Sequence, residues 1–161
     1  MSFSPRDFRD CLGQFATGVA VVTTRANDGT KAGITINSFA SVLLDPALVL
    51  FSVDFRAATH DLFTGECTRF CINILRQEQQ ALSDAFSAPG QHGWDKVAHQ
   101  DDCHSVPRFD DCLATFSCKR HAIHDGGDHS IIVGRVQEIS LGETGNPLLY
   151  YGGRYRALDR E

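Results

Sequence analysis

The sequence predicts a mainly β protein, an antiparallel barrel with a few short helices, and three observations lead there. About six or seven stretches are rich in β-branched and aromatic residues and are joined by hairpin-type turns. Helical periodicity is confined to short stretches between them. No strand–helix–strand alternation of the kind that builds a parallel sheet recurs along the chain.

The elements follow in chain order. Ser4-Pro5-Arg6-Asp7 reads as a helix start, with Ser4 as cap, Pro5 in the first turn and Asp7 placed to reach back. Phe8, Cys11, Leu12 and Phe15 then share one face, and Gly13 and Gly18 bracket the end, so this short helix is expected to plug an open end of the barrel. Val19 to Thr24 is almost entirely β-branched and reads as a strand. Asn27-Asp28-Gly29 tolerates positive φ and turns the chain into a returning strand from Thr30 to Ile36. Asp45-Pro46 punctuates the chain before a buried strand at Leu48 to Val53.

A short helix is expected near Thr59, a strand from Arg69 to Leu75, and a helix from Gln77 to Phe86. Ala88 to about Asp111 reads as a long loop, with Pro89, Gly90, Gly93 and Pro107, and a loop of that length in a compact domain is usually functional or mobile. Two long strands, Cys112 to His124 and Ser130 to Leu141, flank Asp125-Gly126-Gly127-Asp128. Leu148 to Tyr151 closes the set, and Gly152-Gly153 marks a bend.

At 161 residues the chain is read as a single domain, 1–161, with a real hydrophobic core. A net charge of −5 argues against a general nucleic-acid binder. No apolar run reaches the ~20 residues that cross a bilayer, and no export signal is visible, so no membrane association is expected. The six cysteines show no C-x-x-C spacing and read as reduced thiols of a cytoplasmic protein.

Chemistry concentrates in GITINSFASVLLD, Gly33 to Asp45, where a strand turns to small and hydroxyl-bearing residues. Small side chains let a backbone approach a flat ligand, and hydroxyls supply donors and acceptors at its edge. Arg56 with Thr59 reads either as a phosphate clamp at a helix start or as an exposed arginine and a cap. His129, after Gly126-Gly127-Asp128, reads either as a hairpin flank or as a ligand-facing imidazole. His92, His99, Cys103 and His104 share one loop, with His121, His124 and His129 beyond, but none of the spacings matches a familiar metal-ligand pair and no metal is expected. No nucleophile elbow, P-loop or dinucleotide fingerprint is present.

One ordered set of segments goes further: Phe15-Ala16-Thr17-Gly18-Val19 with VVTT, Gly33 to Val42, Asp45-Pro46 with LVLFSV, FCINIL, Leu82 to Phe86, Gly127-Asp128-His129, Gly134-Arg135-Val136, and Pro147 to Tyr150. From roughly Phe8 to Leu158 this set resembles the flavin reductase family, the small reductase components of two-component flavin-dependent monooxygenases.

The resemblance implies an FMN-binding split β-barrel, a homodimer, and NAD(P)H-dependent reduction of FMN or FAD, with reduced flavin released to a partner oxygenase. It places the isoalloxazine along Thr35, Ile36, Asn37, Ser38, Ala40, Ser41 and Val42. It puts the phosphate end at Asp54, Phe55, Arg56, Ala57 and Thr59. Asp128 and His129 are assigned to the nicotinamide, His129 as the catalytic candidate, and Phe86, Trp94 and Tyr150 complete the expected cofactor contacts. Trp94 and the long loop are the candidate cover. The chain departs from the family at Ala57-Ala58, where many relatives carry serine, and at Leu43 and Ala47, often Ser and Pro.

Hydride passes from nicotinamide C4 to flavin N5, so the cofactors supply the reactivity and no protein nucleophile is required. The protein's task is to stack two rings with reacting atoms about 3–3.5 Å apart. Two other readings use the same residues: an oxidase of pyridoxamine-phosphate-oxidase type that retains its flavin, and a flavin-binding protein without turnover.

Overall fold

The computed structural model describes residues 2–88 and 94–158. Helix α1 (Pro5–Leu12) starts where the sequence places it. Ser4 Oγ accepts from the Asp7 N–H at 3.2 Å, and the Asp7 carboxylate accepts from the Ser4 N–H at 2.9 Å. The expectation that this helix plugs the barrel is overturned. None of its residues is buried, and the following Phe15 is 77% exposed. The interior is already filled by Phe51, Phe63 and Phe70, whose rings meet edge to face at 5.8 and 5.2 Å. The helix end is tied instead to the C-terminal segment, where the Gly152 N–H donates to the Gly13 carbonyl.

The strands that follow are β1 (Thr17–Gly18), β2 (Ala20–Arg25), β3 (Lys31–Ile36), β4 (Ala40–Leu43) and β5 (Leu48–Asp54). Helix α2 (His60–Thr64) precedes β6 (Arg69–Ile74), and a 3₁₀ turn at Gln77–Gln79 leads into α3 (Gln80–Ser87). Next come β7 (His99–Asp101), β8 (Pro107–Phe109), β9 (Ala114–Asp125), β10 (His129–Leu141), β11 (Leu149–Tyr151) and β12 (Arg154–Arg156). None of the described helices is long and apolar enough to cross a membrane.

Seven strands form one sheet in the order β3-β2-β6-β9-β10-β5-β4, and every neighbouring pair is antiparallel. Its outermost strands, β3 and β4, are joined by residues 37–39 alone. Laid flat, the two edges would lie about 29 Å apart at ~4.8 Å per strand. Four residue steps reach about 14 Å at most. The sheet must therefore curl until its edges meet at that corner, which is the expected antiparallel barrel.

Strand alternation divides the apolar residues between two cores. Ala20, Val22, Phe51, Phe70, Ile72 and Ile132 fill the barrel. Val19, Val21, Leu75, Phe86, Phe109 and Leu148 pack outside it, under α3. That double burial explains why β2 is β-branched on both faces. Helix α3 lies so close to β3 that a Cβ on Gly33 would fall 2.5 Å from the Phe86 ring, which reserves that position for glycine.

Two sequence readings are corrected. The stretch read as a loop to Asp111 carries the hairpin β7–β8, fastened to the barrel where the Phe109 N–H donates to Asn73 Oδ1 at 2.9 Å and the Thr23 hydroxyl meets the Pro107 carbonyl. Pro89, Gly90, His92 and Gly93 lie outside the described residues. The Gly152-Gly153 bend is a hairpin turn, both glycines at positive φ, that returns β12 along β11.

Candidate functional site

The expected ligand-contacting residues fall into a cleft, a strand edge and a corner, linked by the chain. Thr35, Ile36 and Asn37 at the end of β3 line an open cleft of about 740 Å3 together with Tyr150. That lies within the about 300–1,000 Å3 typical of small-molecule sites. A smaller hollow of about 230 Å3 adjoins it, sharing Asn37, Tyr150 and Gly153 and reaching Leu12 and Phe15. Ile36 is a core residue, and the Thr35 hydroxyl donates to the Ser83 carbonyl at 2.6 Å, so Asn37 is the most exposed polar group at this end of β3.

From the cleft the chain runs over Ser38, whose Oγ accepts from the Ser52 N–H at 3.0 Å. Ala40, Ser41 and Val42 follow on β4, all exposed, with a register shift between Ser41 and Leu43. Because β4 is the last strand of the sheet, its outer edge presents backbone donors and acceptors as well as small side chains.

Ser38 lies over the end of β5, and two residues further on the corner begins. There Asp54 pairs with His129 across β5 and β10, and the Phe55 N–H donates to the Asp128 carbonyl at 3.0 Å. The structure thus brings together two groups of residues far apart in sequence, the expected phosphate end and the expected nicotinamide turn. Gly127 makes this possible, turning the chain at φ 87°.

Charge at the corner is paired in advance. Arg56 donates to both Asp54 carboxylate oxygens, from Nε at 3.1 Å and Nη2 at 2.7 Å, and its N–H adds a third bond at 2.8 Å. These bonds hold the Asp54 carboxyl well below the usual carboxylate range. The Asp128 carboxylate lies 2.6 Å from His129 Nδ1, which assigns that nitrogen the proton and leaves Nε2 of the neutral ring as an acceptor. Ala57 lies within the same turn, its N–H donating to the Asp54 carbonyl. Thr59 caps α2 without a side-chain hydrogen bond to the helix, which leaves its hydroxyl for a ligand beside Arg56.

Two expected contacts are corrected. Phe86 is 2% exposed and sits in the outer core, where α3 presses it against Gly33 and the Phe109 ring, so it does not face the cleft. Trp94 is pinned there too, 5.0 Å from Phe86, stacked on Phe109 at 5.7 Å, with Lys31 Nζ 5.9 Å from its ring. It packs as a partly buried aromatic against the outer core. Aromatic periodicity announces burial but cannot say whether a ligand or another strand supplies it.

Sequence reasoning missed Arg154 and Tyr155, which line the cleft. The Tyr155 ring meets Tyr150 at 5.7 Å and its hydroxyl lies 2.8 Å from Ser83 Oγ. Reading Gly152-Gly153 as a hairpin turn would have set Tyr155 opposite Tyr150. His60 was also missed, and it lies 3.0 Å from Ser130 in the corner.

Other chemistries find little support. Burial pushes the Cys112 thiol up to about 11 and the Cys118 thiol to about 12, and raises Cys71 further still, so these sulfurs stay protonated and unreactive. No cluster of three or more metal-ligating side chains occurs among the described residues. A second cavity of about 720 Å3, lined by Arg76, Arg108, Asp110 and Glu143, contains none of the expected residues.

Comparison with known proteins identifies the family. A family model described as "Flavin reductase like domain" matches residues 12–159. "FMN reductase (NADH) SmoA" of Agrobacterium fabrum is 42% identical over 156 residues, spanning 97% of this chain and 87% of that protein. The reductase component of 4-hydroxyphenylacetate 3-monooxygenase from Thermus thermophilus is 36% identical over 151 residues, spanning 94% of this chain and 95% of that protein. The solved structure of the NADH:FAD oxidoreductase SgcE6 of Streptomyces globisporus, in complex with NAD and FAD fragments, superposes with a TM-score of 0.90 at 31% identity, covering 99% of this chain and 97% of that one.

Proposed function

Because the chain belongs to the flavin reductase-like domain family, we propose that its strip from Thr35 to Val42 receives the flavin ring and its corner receives the phosphate and the nicotinamide. The chain is an NAD(P)H:flavin oxidoreductase that reduces FMN or FAD and supplies reduced flavin to a partner oxygenase. The observation that carries the site assignment is the single strip running from the cleft over Ser38 to the Asp54–His129 pair.

The residues present fit a flavin nucleotide. Small side chains and the free edge of β4 suit a planar ring with polar margins, and Arg56 with Thr59 suits its phosphate. When bound, the two cofactors supply hydride transfer between nicotinamide and flavin. The chain's own residues align and stabilise. The bond from the Ser52 N–H to Ser38 fixes the turn beneath the ring, and Asn37 and the backbone donors of β4 stabilise negative charge at the ring's edge. Arg56, already oriented by Asp54, meets the phosphate without reorganising. His129, oriented by Asp128, presents Nε2 to the nicotinamide.

The uncovered face of α1 and β4 supports a homodimer. Phe8 and Leu12 are more than half exposed, and Leu44, just beyond β4, is 91% exposed, an apolar surface that a second copy would bury. We take 1–161 as one flavin reductase-like domain, a reading supported by the family match over residues 12–159. Its six unpaired cysteines suit the cytoplasm.

Steady-state NADH and NADPH oxidation with added FMN or FAD tests the site and the reaction together. Turnover that rises with free flavin supports the reductase. Turnover that requires an organic substrate and no added flavin supports an oxidase, and no nicotinamide consumption leaves only a binder.

A further inference from the structure

The phosphate end and the nicotinamide turn are not merely adjacent; they are clasped. The segment from Asp54 to His60 leaves β5, turns on itself and lies over the start of β10. It is fastened at both ends. At its beginning the Phe55 N–H donates to the Asp128 carbonyl at 3.0 Å. At its end His60 Nε2 lies 3.0 Å from the Ser130 hydroxyl, one residue beyond His129. Arg56, Ala57 and Thr59 lie between the two fasteners.

His60 is placed for this task on every side. Its ring meets Phe55 edge to face at 5.3 Å, which joins the two ends of the segment to each other. Its Nδ1 lies 3.1 Å from the Asp61 carboxylate, which fixes the tautomer so that Nε2 accepts from the Ser130 hydroxyl. Ser130 is 7% exposed, held between Val53 and Asp125 in the sheet, and so offers a rigid anchor. A serine, a histidine and an aspartate in hydrogen-bonded succession suggest a hydrolytic triad, but the burial of Ser130 closes it to any acyl substrate.

The geometry points to His60 as a positioning residue that sets the spacing between the flavin-phosphate contacts and His129, so that flavin and nicotinamide affinities depend on one clasp. This rests on the site assignment proposed above. Because both sets of contacts are held by the same segment, loosening the clasp itself weakens both, whereas removing a single contact such as His129 weakens one.

The test uses the full chain with FMN and NADH. His60→Phe keeps the packing on Phe55 and removes both ring nitrogens; Ser130→Ala removes the anchor. Each is expected to raise the Kd for FMN and the KM for NADH together, by about three- to tenfold, the worth of one hydrogen bond, while kcat at saturation stays within about twofold. The double variant should be no worse than the poorer single one, and His60→Gln, which keeps a polar atom toward Ser130, should recover most of the loss. Exchange of the Phe55 amide should quicken in His60→Phe. Movement of only one of the two affinities, additive losses in the double variant, or a fall in melting temperature with both affinities intact would overturn the assignment. If the wild-type chain does not oxidise NADH with flavin, the proposed function fails, while Phe55 amide exchange still decides the clasp.

Discussion

The two ends of the site are built differently. At the corner almost every polar side chain already has a partner: Arg56 has Asp54, His129 has Asp128 and His60 has Ser130. The strip beside it is more open, with Asn37 exposed at the end of β3 and Ser41 and Val42 exposed on β4, the last strand of the sheet. A corner satisfied in advance holds its geometry whether or not a ligand is present, and it can fix where charged groups go. An open strip of small residues imposes little of its own, and it suits a flat ring that must arrive and leave. Preorganised charge at one end and open surface at the other are the division of labour expected of a protein that aligns two cofactors and supplies no nucleophile.

Four substitutions or conditions test that contrast, beginning with the largest effect. Ser38→Trp places an indole where the ring is proposed to lie and removes the acceptor for the Ser52 N–H. Flavin affinity should fall by about a hundredfold or more, with the protein still folded by circular dichroism; retained affinity would move the ring off the strip. His129→Ala at the corner should raise KM for NADH by about three- to tenfold, the loss of one hydrogen bond, with Kd for flavin changed much less. An unchanged KM would remove His129 from the site.

Arg56→Ala should weaken FMN by about three- to tenfold and abolish its advantage over riboflavin, because only the phosphate meets the arginine and an unpaired Asp54 would then repel it. A preserved FMN-to-riboflavin ratio in a titration calorimeter would place the phosphate elsewhere. The smallest effect concerns pH. Asp54's carboxyl is depressed in the folded protein, so its pairing is complete above the ordinary carboxylate value of about 4 and is lost only as pH falls through the lower folded value. Between pH 5 and 8 the Arg56–Asp54 pair should therefore add no slope to stability, and a slope that vanishes in Asp54→Asn would show the pair to be weaker than its geometry suggests.

Much of this molecule is legible in its residues. The β-branched runs of β2, β5 and β6 and the long strands β9 and β10 announce themselves, and Asn27-Asp28-Gly29 marks its turn. The hairpin β7–β8 does not, because each strand has only three residues and the stretch includes Pro107 and several charged side chains. The periodicity of α1 shows which face is apolar but not what covers it, so a plug is expected where the helix in fact lies open. Phe86 and Trp94 look like ligand contacts for the same reason: burial by α3 and β8 has the same signature as burial by a ring. His60 is illegible in another way, since its partner lies 70 residues away on a different strand.

The most direct test of the account is a crystal structure of the protein with FMN bound. The ring should lie against Asn37 to Val42 and the phosphate between Arg56 and Thr59. A ring bound in the cavity of Arg76, Arg108 and Glu143 instead, or a phosphate remote from Arg56, would contradict it.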